Sequence, residues 1–133
     1  LKAKIDAGAT EALTQFFFEP DNFLRFRDAC AAAGISAPIT PGILPVTNWA
    51  RTKGFAARCG TPIPAHIETS FDRAEREDRA DLYALTHCTD LCTDLIEEGV
   101  EALHFYTLNR PTLTLQVCRA LGLVGTNAAL HVA

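Results

Sequence analysis

Three short apolar runs, each followed by a stretch of helical periodicity, constrain this chain more than any other feature. The runs lie in "EALTQFFFE" (Glu11–Glu19), "ISAPITPGILPV" (Ile35–Val46) and "VEALHFYTLN" (Val100–Asn109). Runs of this kind suit strands buried on both faces, as parallel sheets require. Strands are expected around Gln15–Phe18, Ile39–Leu44 and His104–Leu108. Alternation of strands with helices builds parallel βαβ units with right-handed crossovers.

The helical stretches carry their own punctuation. Residues 1–8 read as the last turns of a helix closed by Gly8. Pro20 suits the first turn of a helix that Gly34 stops, with Phe23, Phe26, Cys30 and Ala33 on one stripe. Thr47 or Asn48 is the expected N-cap of the next helix, and Gly60 its end. A single longer helix is expected from about Arg73 to Glu98, with Leu82, Leu85, Cys88 or Thr89, Cys92, Leu95 and Ile96 as its stripe. The last helix follows Arg110-Pro111, with Leu113, Val117 and Leu121 facing inward and Gly122 ending it. The tail "VGTNAALHVA" has no periodicity.

One stretch resists this pattern. "ITPGILPVTNW" puts Pro41, Gly42 and Pro45 into an apolar segment. Proline has no ladder donor and a fixed φ, so an ordinary interior strand is not expected there. Either the prolines end a strand and position a helix, or they stiffen a wall beside a ligand pocket that Gly42 lets backbone approach.

In parallel α/β folds the chemistry sits at the carboxyl ends of the strands. Those ends carry Gln15, Pro41-Gly42 and Asn109-Arg110. No G-x-G-x-x-G or P-loop pattern follows any strand, which argues against a dinucleotide-binding or NTPase fold of those types. No serine, cysteine or carboxylate stands at triad spacing with His66, His87, His104 or His131, so hydrolysis has no support. The net charge of −4 gives no reason to expect nucleic acid or an anionic membrane as partner. No apolar run approaches the roughly 18 residues of a membrane span. Five scattered cysteines, an odd number, suit a reducing compartment and a cytoplasmic location. Cys88 and Cys92 share a helix face but lack a zinc-ligand spacing, so they read as core and no metal is expected.

With the strands set, "AGATEALTQFFFEPDNFLRFRDACAAAGI", "PITPGILPVTNW" and "HFYTLNRP" resemble the methylenetetrahydrofolate reductase family, in the same order and with matching spacing from Lys4 to about Gly122. The resemblance implies a flavin-dependent (β/α)8 TIM barrel. Such enzymes reduce 5,10-methylenetetrahydrofolate to 5-methyltetrahydrofolate with FAD, using NADH or NADPH as donor. It further implies that residues 1–133 are the C-terminal portion of that barrel, an incomplete domain holding its last three βα units, with parallel strands and outer helices. The lack of any methionine agrees with an internal piece of a longer protein.

The family also suggests roles for particular residues. Gln15 matches a glutamine that meets folate and nicotinamide in turn; read without the family, it is an amide capping the core through the backbone. Arg110 matches an arginine that holds folate, whose tail carboxylates suit a guanidinium; otherwise it is a surface arginine capping a carbonyl. Phe55 matches an aromatic that packs on ligand rings, or is ordinary helix core. Lys4 matches a lysine beside the FAD phosphates, or is a solvated lysine. Two positions depart from the pattern. Arg51 stands where glutamine is usual and Ala3 where a basic residue is usual, which puts one folate contact and one FAD contact in question.

The resemblance therefore implies a folate substrate and leaves a homo-oligomer open. The acid that protonates folate would lie outside these residues, so no catalytic residue is expected among them. The rival reading is a non-catalytic barrel fragment, stable only by docking or self-association through its open sheet edges. Another barrel oxidoreductase, such as a proline dehydrogenase relative, fits the architecture but not the wording of the motifs.

Overall fold

The computed structural model describes residues 1–123. The tail from 124 onward, with His131, lies outside the described residues. Along the chain run α1 (Lys2–Asp6), β1 (Ala12–Phe16), α2 (Pro20–Ala32), β2 (Ile39–Ile43) and α3 (Trp49–Cys59). Then come α4 (Ala65–Arg76), α5 (Ala80–Glu97), β3 (His104–Phe105) and α6 (Pro111–Ala120). The strands form one sheet in the order β1-β2-β3, and both pairings are parallel. The protein is thus mixed α/β, with β2 and β3 within the expected Ile39–Leu44 and His104–Leu108, while β1 lies earlier than the expected Gln15–Phe18 and ends at Phe16. The third is shorter than its run.

Pro41 lies inside the central strand after all, buried, and the neighbouring strand shows why it is tolerated. Between Leu13 and Phe16, β1 carries an irregularity: Leu13 pairs with Thr40 but Phe16 with Gly42. Three steps on one strand face two on the other, the count of a bulge. Side chains serve the backbone there. The Gly42 N–H donates to Thr14 Oγ1 at 3.0 Å, and the Phe16 N–H donates to Gln15 Oε1 at 3.0 Å. Two N–H groups that a regular ladder would pair with main-chain carbonyls are served by side-chain oxygens, one across the strands and one from the adjacent residue.

Across this bulge lies Tyr106, just beyond β3. Its N–H continues the pairing to Ile43 O at 2.8 Å, and its hydroxyl passes over β2 to donate to Thr14 O at 2.9 Å. The ring can lie there because position 42 has no side chain. A Cβ on Gly42 would collide with the Thr14 carbonyl oxygen and the Tyr106 ring.

The core is an aromatic chain running from β1 to α5. Phe18 meets Trp49 edge-on at 6.2 Å, and Trp49 stacks on Phe71 at 4.3 Å. Phe71 in turn meets Tyr83 and His87 edge-on, at 4.7 and 5.6 Å. His87 closes the chain through Nε2, which donates to Phe18 O at 3.1 Å in the neutral tautomer. Burial pushes its pKa down, which favours that neutral form. Cys88 and Cys92 are buried core residues of α5, and the hydrogen bond with the Cys92 thiol, then burial, raises the Cys88 pKa. Among the described residues no helix is long and apolar enough to cross a membrane.

Three expectations change. The single helix over Arg73–Glu98 is two helices, because Asp78 takes a left-handed φ of 55° and the Arg79 N–H folds back to Ala74 O. An aspartate did the work of a stop glycine, so no stop signal was visible. The first of these helices starts at Ala65 behind Pro64 and buries Ile67, Phe71 and Ala74. On α2, Phe23 and Cys30 are buried but Phe26 is 43% exposed and Ala33 is an exposed cap. On α5 the buried stripe is Ala84, Cys88, Leu91, Cys92 and Leu95, with Leu82 63% exposed.

Substitution of Gly42 by alanine should cost about 1–3 kcal/mol, the usual range for overpacking. Urea unfolding of the two proteins measures it. In a Tyr106→Leu background the loss should shrink, leaving the contact with the Thr14 carbonyl.

Candidate functional site

The carboxyl ends of β2 and β3 open into a cavity of about 590 Å³. It is built by the start and outer face of α3 and by the segment from Tyr106 to Arg110. Asn48 starts α3 as its N-cap, accepting from the Arg51 N–H at 2.9 Å, and Gly60 ends it with φ 67°. Of the two candidate caps, Asn48 is the one used.

Trp49 fixes this helix from its first residue. Its indole is buried, stacks on Phe71 of α4 and donates from Nε1 to Asp72 Oδ1 at 2.8 Å. Lys53, one turn on, reaches the same carboxylate at 3.2 Å and Glu68 at 3.8 Å. The hydrogen bond from Trp49, then that from Lys53, lowers the pKa of Asp72. One face of α3 is therefore tied to α4, which leaves the Arg51–Phe55–Arg58 face to the cavity.

Phe55 stacks on Phe16 at 5.3 Å with the planes 13° apart. The Arg58 guanidinium stands over the Phe55 ring at 5.8 Å, within the range of a cation–π contact. Opposite, the turn from Thr107 to Arg110 closes with an Arg110 N–H to Thr107 O bond of 2.9 Å. Both central residues are left-handed, Leu108 at φ 49° and Asn109 at φ 61°. Asparagine tolerates that region and leucine does so rarely, so Leu108 carries local strain. The turn delivers Arg110 to the N-cap of α6, where it borders the 590 Å³ cavity and a second of about 470 Å³ beside Asp81 and Gln116.

Of the residues singled out from sequence, Phe55 and Arg110 line one cavity, together with Arg51. Gln15 does not line it. Gln15 is exposed beside Phe16, its Oε1 turned to the Phe16 N–H, and so is not enclosed by apolar neighbours. Lys4 is exposed on α1 and borders neither cavity that Arg110 lines. Ala3 lies on the same short helix, exposed. Two cavity residues were missed. Arg58 follows Arg51 and Phe55 at the i, i+4, i+7 spacing of one helix face, a readable signal. Tyr106 gave none, since its role depends on Gly42 and Thr14 across the sheet.

The sequence pattern of methylenetetrahydrofolate reductase matches residues 1–122. The chain belongs to the methylenetetrahydrofolate reductase family. The 5,10-methylenetetrahydrofolate reductase of Escherichia coli (strain K12) is 44% identical over 123 residues, which cover 92% of this chain and 42% of that protein. The methylenetetrahydrofolate reductase (NADH) 1 of Arabidopsis thaliana is 36% identical over 125 residues, 93% of this chain and 21% of that protein. The chain thus spans less than half the length of the reductases it matches. Within this reductase family member, the matched region takes in the whole of α3, β3 and the Arg110 turn.

The tie between α3 and α4 has a pH signature. Because the folded state lowers the Asp72 pKa, its contribution is present above the unfolded-chain value of 3.8 and is lost as pH falls through the folded value. Trp49 is the only tryptophan and reports directly. Its emission should change on acidification below about pH 4. In Asp72→Asn that acid-dependent step should be absent.

Proposed function

We propose that this chain forms the substrate-facing, C-terminal part of a methylenetetrahydrofolate reductase, its three βα units being the last three of a (β/α)8 barrel. The reaction is the reduction of 5,10-methylenetetrahydrofolate to 5-methyltetrahydrofolate, with electrons from NADH or NADPH. The observation that carries this reading is the meeting of Phe55, Arg51 and Arg110 around one cavity at the carboxyl ends of β2 and β3. Such a cavity offers an aromatic surface for a planar ring and guanidinium groups for carboxylates, the two parts of a folate.

Each residue then has a task. Arg110 pairs with the substrate's carboxylate tail and Phe55 backs its ring system. Gln15 lies outside that cavity, exposed on β1, and with Oε1 held by the Phe16 N–H its amide nitrogen is the donor left to meet a ligand carbonyl that extends past the cavity. Tyr106, tied to Thr14, keeps the β1 bulge and hence Gln15 in place. A bound FAD supplies the hydride chemistry in this family. The described residues do not by themselves make a flavin site: Lys4, the residue assigned to the FAD phosphates, stands exposed and apart from the cavity. This chain's part is binding and orientation of substrate.

A second reading, self-association without catalysis, is favoured by one observation. Leu13 is 49% exposed on β1, an edge strand among the described residues. Sedimentation velocity separates the two, since this reading requires a dimer or larger species at micromolar concentration.

Arg110→Ala tests the first reading. In the intact natural polypeptide it should weaken folate about tenfold, the scale of a charge-assisted pair. The nicotinamide donor should change much less. Titration of both ligands at fixed salt checks this, and equal weakening of the two would assign Arg110 to shaping the cavity mouth.

A further inference from the structure

Helix α3 is short and weak by itself. It has 11 residues with Gly54 in its interior, and an isolated helix of that length is marginal in water. Its buried residues are Trp49, Thr52 and Ala56, of which only Trp49 is large. Two small residues seat the helix against its neighbours but resist its rotation little.

The rotation is fixed from α4. Trp49 Nε1 at 2.8 Å and Lys53 Nζ at 3.2 Å both donate to one oxygen, Asp72 Oδ1. The two donors stand about one helical turn apart, so a single acceptor that serves both opposes turning and sliding of α3 together. The Lys53 ammonium also lies 5.5 Å from the Trp49 ring centre, which joins ring, cation and carboxylate in one group. On its own helix Asp72 has no packing task. The buried residues of α4 are Ile67, Phe71 and Ala74, and the Asp72 side chain is 37% exposed.

Phe55 carries the rotation into the cavity. It lies two residues beyond Lys53, about 200° round the helix, and its ring lines the cavity while stacking on Phe16. With its side chains a helix is about 10–12 Å across, so a turn of roughly 10° about the axis moves the ring by about 1 Å. A shift of that size in a site that must orient its ligand is costly.

We propose that Asp72 is a positioning residue for the candidate site: by accepting from Trp49 and Lys53 through one oxygen, it sets the rotation of α3 and with it the place of the Phe55 ring. Asp72 lines neither cavity that Arg110 borders, and its effect passes through Phe55. The proposal rests on the folate reading for the ligand of the binding test, and a measurement without ligand tests it apart from that reading.

Folic acid is titrated calorimetrically into the intact natural polypeptide and into Asp72→Ala, Asp72→Asn, Phe55→Ala and the Asp72→Ala/Phe55→Ala double variant. Asp28→Asn on α2 serves as a charge control. Asp72→Ala should weaken folic acid about three- to tenfold, the scale of one or two lost hydrogen bonds. Asp72→Asn keeps an oxygen acceptor and should stay within about twofold of the wild type, as should Asp28→Asn. In the Phe55→Ala background the Asp72→Ala change should add little. A merely structural role predicts full additivity in that background and an equal loss in the asparagine and alanine variants; either result overturns the proposal.

Hydrogen exchange of the ligand-free proteins supplies the second measurement. Asp72→Ala should speed exchange of the α3 amides while the α5 amides keep their wild-type rates. If that contrast appears and the wild type does not bind folic acid, the positioning role stands and the folate reading fails. If the α3 amides exchange as in the wild type, or if α3 and α5 speed up together, the proposal fails. Lys53→Met removes the second donor from a partly exposed position, and it replaces Asp72→Ala in both measurements, with the same expected directions, if that variant does not fold.

Discussion

Position 42 has no side chain, and the arrangement of the sheet around the candidate site depends on that. The vacancy lets the Tyr106 ring lie across the central strand and its hydroxyl reach Thr14 O on the far strand. One side chain from beyond β3 thereby ties all three strands together. The same position supplies the N–H that Thr14 Oγ1 accepts, in a stretch where Pro41 has no N–H to give. Bulge, proline and tyrosine are thus one arrangement. Each element would be a defect alone, and together they leave the local donors satisfied.

The second ordering element is the division of α3 into two faces of different charge behaviour. Towards α4 the helix presents Trp49 and Lys53, which find a buried stack and two carboxylates. Towards the cavity it presents Arg51 and Arg58, which find none among the described residues. The anchored face fixes the rotation of the helix about its axis. That rotation decides which residues look into the cavity, so the tie to Asp72 acts on the site without touching it.

Much of this was readable beforehand, for physical reasons that can be named. Apolar runs with terminal turn residues located all three strands, although β2 alone is buried along most of its length and β1 alternates, with Leu13 and Gln15 exposed. Phe55 and Arg110 were paired through family resemblance, and α3 and the β3–α6 turn bring them to one cavity. What stayed hidden depended on partners distant in sequence or on unusual backbone. Asp78 in a left-handed conformation split one expected helix into two, where glycine would have announced the break. Gln15 looked enclosed from its neighbours Phe16 and Phe17, yet strand alternation puts it on the exposed side. Phe26 obeyed the helical spacing and is still exposed, since periodicity gives a stripe but not its width.

The contact between Tyr106 and Thr14 joins residues 92 positions apart. In the order of chain synthesis, it can form only after β1, β2 and the α4–α5 pair have already left the ribosome. Loop-closure entropy makes such a long-range contact a late event, unless the intervening helices fold first and shorten the effective loop. The nascent protein therefore passes through a period in which the β1 bulge lacks its hydroxyl tie and the cavity lacks one wall.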